Sequence, residues 1–518
     1  MRKIKLDFAR NTKRNMLANA VGSGIKMLFP FLNRTLFLWL LGPEYLGLNG
    51  LFGSILGVLM LAELGFGTAV VCSMYKPVAD DNRELICAYL GFYRKVYRWV
   101  GTAIFAIGLA LLPFLGRLVH GDVPPDVDLH ILYLIHLVNT SASYFLFAYR
   151  GSVLGAYNRN DVITNIRTGV SVAQYVVVFL VLLVTRNYYH YIVATVFFTV
   201  AQNILLVRAS RRLFPGIEPR GRLPDDLRRR VVSDVKSIFM HKIGGVITNS
   251  TDNIVISAFL GLVAVAAYGN YYYVLTSVGG LVAVVYSSMT GGFGNKIYTE
   301  TRADNFRLFM KMNKLTVLVA IWCSAMMAAL YQPFIEVWTK GDAALVRHAL
   351  TPVLMVLYFY VMQARQTLLT FKAAAGIWRQ DRWKPIVAGA VNIASNILFV
   401  VFLPEAYKLD GVIFSTIIGF VFVQIPWETS VVFVNYFGRK ACRRYCLAQL
   451  RLALSAAAVC AASWGAAHFV ALEGIWGLAA KGAAAAAVSG GLLLAVAGGD
   501  VVALLRGLRR RGRPGGCA

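Results

Sequence analysis

The chain has 518 residues, of which 58% are hydrophobic and only 15% charged. A soluble chain of this length carries roughly a quarter charged residues, so a string of soluble domains is excluded. The net charge of +27 would point to nucleic acid in a soluble protein; in a membrane protein it marks basic loops on one side.

Taken in chain order, the apolar runs predict about fourteen transmembrane helices, each long enough for a hydrocarbon core of roughly 30 Å. They fall near 15–41, 46–73, 97–118, 129–153, 168–185, 190–208, 237–260, 264–288, 315–338, 346–371, 385–402, 411–434, 450–470 and 474–496. Helices satisfy the backbone internally in lipid, so the expected fold is an all-α integral membrane protein. With the N-terminus inside, nearly all Lys and Arg fall in the cytoplasmic segments 2–14, 76–98, 150–167, 208–236, 296–314, 365–384, 439–451 and 506–513. The opposite side holds Arg117, Arg186, Lys340, Arg347 and Lys408. This alternation places both termini in the cytoplasm and removes the need for a nucleic-acid partner.

The basic segment 209–236, with Pro215, Gly216, Pro219, Gly221 and Pro224, reads as a linker between six-helix lobes at 1–208 and 237–436. Residues 437–518 supply two further helices and a basic tail. The lobes share a pattern: Asn33 to Gly42 lies over Asp252 to Gly261, and the same offset carries Gly50 onto Gly269. A parallel repeat of this kind is characteristic of transporters.

Catalytic and metal motifs are absent. There is no Walker A sequence and no H-E-x-x-H. Asp126-Val127-Asp128 imitates a D-x-D pair but sits in a short loop. Among the seven cysteines, Cys442 and Cys446 stand among arginines, which disfavours zinc. No cofactor is expected.

Leu40-Leu41-Gly42-Pro43-Glu44-Tyr45-Leu46-Gly47-Leu48-Asn49-Gly50-Leu51-Phe52, followed by Ala62-Glu63-Leu64-Gly65-Phe66-Gly67-Thr68, resembles polysaccharide flippases of the Wzx type. These belong to the multidrug/oligosaccharidyl-lipid/polysaccharide (MOP) exporter superfamily. The resemblance spans about residues 1–440. It implies two pseudo-symmetric six-helix lobes working by alternating access in a bacterial plasma (inner) membrane. The implied substrate is an undecaprenyl-pyrophosphate-linked oligosaccharide for cell-surface polysaccharide synthesis. With no nucleotide site, the expected energy source is an H+ or Na+ gradient or trapping of the product outside, and polysaccharide-assembly proteins are candidate partners.

Charges within spans carry the functional reading, because each costs about 2.5–3.5 kcal/mol at a helix centre. Lys26, Asn33 and Arg34 lie on the first helix; Lys242, Asn249, Asp252 and Asn253 lie on the seventh. Under the repeat, Asn33 and Arg34 match Asp252 and Asn253, so both helices place polar groups at one depth, facing a cationic cavity. Arg34 suits a phosphate or carboxylate, or it pairs with Asp252. Lys26 and Lys242 either line the cavity or snorkel to the inner surface. Arg150 lines the inner mouth or anchors a helix end, whereas Arg365 leans towards the cavity. Glu63 and Asp252 are candidates for ion coupling; Glu63 also has the option of an arginine partner. Pro30 is the expected hinge of the first helix. The Ala-rich helices at 450–470 and 474–496, with almost no charge besides Lys481, read as packing helices facing lipid. The rival readings are an ion-coupled multidrug exporter, a membrane-bound glycan polymerase or transferase, and a scaffold. The surplus of buried cations, the short loops and the embedded charges disfavour them in turn.

Overall fold

The computed structural model describes residue 25 and residues 28–511 except 64, 122, 147 and 378. These residues contain no strand. In chain order the helices are α1 (Leu28–Leu40), α2 (Pro43–Leu59), α3 (Phe66–Ala79), α4 (Arg83–Leu111), α5 (Leu115–Leu118), α6 (Leu129–Phe145), α7 (Gly151–Ala156), α8 (Asn160–Thr185), α9 (Tyr188–Leu213) and α10 (Asp225–Leu260). They continue as α11 (Leu262–Thr299), α12 (Arg302–Trp338), α13 (Leu350–Ala364), α14 (Gln366–Ala374), α15 (Lys384–Phe402), α16 (Lys408–Ile418), α17 (Ile425–Val432), α18 (Arg439–His468) and α19 (Gly474–Arg511).

Among the described residues, 8 helical segments are long and apolar enough to cross a membrane, and α1 is a shorter apolar helix. Three of the expected spans are interrupted beside a charged residue, and 97–118 is interrupted by the 3-10 turn Leu112–Phe114. The stretch 46–73 breaks at the 3-10 turn Met60–Glu63 and at Gly65, whose φ is 100°. The stretch 129–153 breaks between α6 and α7, and 346–371 breaks at Arg365 between α13 and α14. Large apolar side chains stand on the outside; Val184 is 83% and Phe402 79% exposed. Such a surface is at ease only in hydrocarbon. The chain is a multi-pass membrane protein.

Sequence sets the helix ends. Asn82, Asp128 and Asn187 each accept a hydrogen bond from a first-turn backbone N–H at 2.8–3.0 Å, the usual N-cap. Asp128 is held below the ordinary carboxylate range by the N–H groups of Ile131 and His130. Asp126 accepts from the Tyr45 hydroxyl. The D-x-D pair is thereby occupied in building a turn. The tight hairpins at Gly42 (φ 115°) and Gly261 (φ 86°) reverse the chain between α1 and α2 and between α10 and α11. Both need a residue without Cβ, and they are the same position of the repeat.

Cα proximity divides the chain into two compact units, Met1–Ala266 and Ala267–Ala518. In the first, α10 packs on α2 and α3, so it groups with the N-terminal helices. Small residues set the closest approaches, as is usual between membrane helices. A Cβ at Gly101 of α4 would lie 2.6 Å from Cβ of Tyr144 on α6, and Gly108 meets Leu137 in the same seam. The basic segment 209–236 is largely helical: α9 runs to Leu213 and α10 starts at Asp225. Its loop lies against α4, where Cys87 donates to the Gly216 carbonyl at 3.8 Å and Gly91 faces Arg220. In the second unit, Phe293, Phe309, Leu368, Phe371, Val432, Phe433 and Tyr445 form an aromatic core.

Gly47 on α2 lies directly against the Leu262 backbone carbonyl, whereas Gly53 faces open space. Gly47→Ala therefore lowers thermal stability in detergent by about 1–3 kcal/mol, and Gly53→Ala leaves the melting temperature unchanged. Equal melting of the two variants would contradict the packing of α10 and α11 onto α2.

Candidate functional site

Within the first unit, α1, α2, α9 and α10 bring several of the sequence-selected residues together. The Asn33 amide donates to the Tyr191 hydroxyl on α9 at 3.1 Å, and Phe37, one turn on, sits edge-to-face with Tyr188 and Tyr191. The Arg34 guanidinium is half-buried and donates to the Ala266 carbonyl at 3.4 Å. On α10, the Asn253 amide donates to the Ser54 hydroxyl of α2 at 2.9 Å. Asp252 is 1% exposed. The amide oxygens of Asn33 and Asn253 are enclosed and find no donor among the described residues. Lys26 lies outside the described residues, as does the start of the first helix, so the bend expected at Pro30 is not described. Of Lys242 and Asn249 only the backbone is described, within α10.

Glu63 sits at the break between α2 and α3. Its carboxylate accepts from the hydroxyls of Tyr97 on α4 and Tyr144 on α6, and Tyr93 meets Tyr97 edge-to-face at 4.4 Å. Among the described residues no basic side chain lies within ion-pair distance of Glu63. Two phenols orient the carboxylate without cancelling its charge.

The two arginines at the other interrupted spans are both enclosed. Arg150 pairs with Glu218 and donates to the Ile217 carbonyl at 3.4 Å. Arg365 in the second unit donates to Gln424 at 2.7 Å and to Glu428 at 2.6 Å, and lies 4.8 Å over the Phe420 ring. Glu428 also accepts from Lys384 at 2.5 Å; Lys384 pairs with Asp381 at 3.1 Å, and Lys372 pairs with Asp381. This chain holds three cations and two carboxylates. Glu428, at 0% exposed, and Asp381, at 1%, are its most enclosed members. The helix carrying Glu428 widens to π turns over Gly419–Gln424 and Phe433–Phe437, a distortion common at functional positions.

Glu428, Asp381, Lys384 and Lys372 escape the sequence reading. Glu428 lies mid-span, so the cost of an intramembrane charge was a usable signal. The other three look like ordinary basic-loop residues, and nothing local shows that the loop folds inward.

A family model described as polysaccharide biosynthesis protein matches residues 12–289. No curated protein matches by sequence. Among solved structures, the lipid II flippase MurJ in an inward closed conformation is similar at 12% identity, with a TM-score of 0.68, over 94% of this chain and 100% of that one. An inward-facing multidrug resistance MATE family transporter of the MOP superfamily is similar at 13% identity and TM-score 0.55, over 78% and 94%. The eukaryotic MATE transporter AtDTX14 is similar at 13% identity and TM-score 0.53, over 86% and 99%. At these identities the likeness is one of fold.

Removing one member of an enclosed ion-pair chain leaves its partners charged and unpaired. Glu428→Gln is expected to cost about 3–5 kcal/mol, seen as a large drop in melting temperature of the detergent-purified protein. Lys408→Gln breaks the pair to Glu405, which is 74% exposed, and should change stability by less than about 1 kcal/mol. Similar shifts for the two variants would show that the Glu428 network does not hold the second unit together.

Proposed function

The chain belongs to the polysaccharide biosynthesis protein family, and from that premise we propose that it flips an undecaprenyl-pyrophosphate-linked oligosaccharide across a bacterial plasma membrane. It does so by alternating access and without catalysing a covalent step. Both termini stand in the cytoplasm, the side of the basic loops.

One contrast carries the assignment of the head-group contact. Arg150 and Arg365 are enclosed by Glu218 and Glu428, whereas Arg34 remains half-buried on an apolar helix. A guanidinium offers a planar fork that grips phosphate or carboxylate with two parallel hydrogen bonds. We assign the half-buried Arg34 guanidinium to the anionic pyrophosphate, with Asn33 and Asn253 as amide neighbours for sugar hydroxyls. The prenyl chain stays in lipid, where each CH2 is already at home. A cationic-drug exporter is the alternative use of this fold, and a cationic contact residue disfavours it.

Coupling is assigned to Glu63, with Asp252 as the second carboxylate. A carboxylate fixed by Tyr97 and Tyr144 and lacking a basic partner among the described residues binds H+ or Na+ with little rearrangement.

Glycan export by cells that depend on this chain tests the contact. Arg34→Lys keeps the charge and loses the fork, so the variant should be abundant yet export poorly; Arg34→Ala should fail further. If Arg34 serves only to neutralise Asp252, the double change Arg34→Ala with Asp252→Ala restores abundance and export together, and that recovery would sink the head-group role. An abundant, inactive double variant supports it.

Coupling is read separately in proteoliposomes under an imposed H+ or Na+ gradient. Glu63→Gln preserves the acceptor oxygen but not the charge, and should abolish gradient-driven acceleration while leaving passive flipping. Acceleration that persists in Glu63→Gln removes this residue from coupling.

A further inference from the structure

The two C-terminal helices border a cavity. Residues of α12, α13, α18 and α19, all in the second unit, enclose about 570 Å³. The walls are mostly alanine, proline and valine, with Gln332, Glu336, Trp464, His468 and Lys481 as the polar lining. Trp464 and His468 stack at 5.5 Å, and Ala329, Ala467 and Ala485 pack together beside the cavity. Pro333 lies within α12 and has no N–H for the Ala329 carbonyl, leaving an acceptor at the cavity wall. At the mouth, Trp464 and Val353 are 58% and 61% exposed, so the cavity opens sideways to the surrounding lipid.

Lys481 makes no hydrogen bond or ion pair among the described residues, although it stands within an apolar span. It lies five residues past Trp476, roughly 8 Å deeper along α19 at 1.5 Å per residue. Trp476, Ile475 and Phe469 at the α18–α19 turn are strongly exposed, as befits side chains at a membrane interface. Lys481 thus starts just below the interface, and its four-carbon stem lets the ammonium snorkel back to the lipid phosphates. Glu336 supplies the opposite charge on the facing helix.

We propose that this cavity binds an ethanolamine phospholipid of the bilayer, its phosphate on Lys481 and its primary ammonium on Glu336. A head group with one anion and one hydrogen-bonding cation uses both charges of the lining; glycerol and choline head groups each use one. The volume falls within the roughly 300–1,000 Å³ of small-molecule sites. It suits a phosphoethanolamine group. The acyl chains leave through the mouth past Val353 and Trp464. The C-terminal helices thereby anchor the second unit to a particular lipid.

The test uses the full chain in nanodiscs of equal parts phosphatidylethanolamine, phosphatidylglycerol and phosphatidylcholine, with retained lipid counted by native mass spectrometry after mild detergent release. The wild type should retain phosphatidylethanolamine several-fold over the other two. Lys481→Gln should lower retention of all three. Glu336→Gln should erase the preference for phosphatidylethanolamine over phosphatidylcholine while keeping phosphate binding. Ala461→Phe, which fills the cavity without removing a charge, should also lower retention. Equal retention of the three lipids by the wild type overturns the proposal whatever the variants do. So does a preference for phosphatidylglycerol that ignores Glu336→Gln. Displacement of the retained lipid by a prenyl pyrophosphate in a Lys481-dependent manner would reassign the cavity to the transported lipid.

Discussion

A helix interrupted inside a membrane leaves carbonyl and N–H groups that lipid cannot satisfy. This chain interrupts its helices repeatedly, and four of these irregularities hold a charged residue tied to a neighbouring element. Glu63 marks the break between α2 and α3 and is held by tyrosines of α4 and α6. Arg150 lies at the turn between α6 and α7, and Arg365 at the junction of α13 and α14. Glu428 stands between two π turns. The charges fix where each helix bends, because moving a bend would strand an ion in a medium that cannot solvate it.

The repeat is visible in these details. Gly42 and Gly261 both have positive φ at the same repeat position, and Arg150 and Arg365 occupy the fourth helix of each half. The halves then diverge. Arg150 is answered by Glu218, which is 47% exposed on the loop before α10. Arg365 is answered by Glu428, fully enclosed and shared with Lys384. In the second half Arg365 and Glu428 are enclosed; in the first, Arg34 and Glu63 keep partial exposure.

Much of this architecture is legible in sequence, because hydrophobic length and loop charge are properties of local segments. Among the described residues the expected spans coincide with helices or with interrupted helices, and the hairpin glycines lie at the predicted turns. What escapes is pairing across distance. Asp381 and Lys384 read as loop residues until the loop is seen to fold against α17. The tyrosines that hold Glu63 are two among 25 in the chain, with no local feature to single them out. The alanine-rich α18 and α19 read as packing helices facing lipid, since alanine gives no hint that its small volume leaves a cavity beside Lys481. Arg34 stood out for the opposite reason: an arginine in an apolar run announces itself by its cost.

The central claim is transfer of a prenyl-pyrophosphate-linked glycan between leaflets. Its most direct test is reconstitution of the purified chain into liposomes loaded with a tritiated lipid-linked oligosaccharide, followed by a membrane-impermeant endoglycosidase. Spontaneous crossing of so polar a head group is negligible on this timescale, so protein-free vesicles should expose about half of the label. The account predicts that vesicles containing the chain expose nearly all of it, and that a simple glycan without the prenyl pyrophosphate does not compete. Protection of the inner half in vesicles that contain correctly folded protein would contradict it.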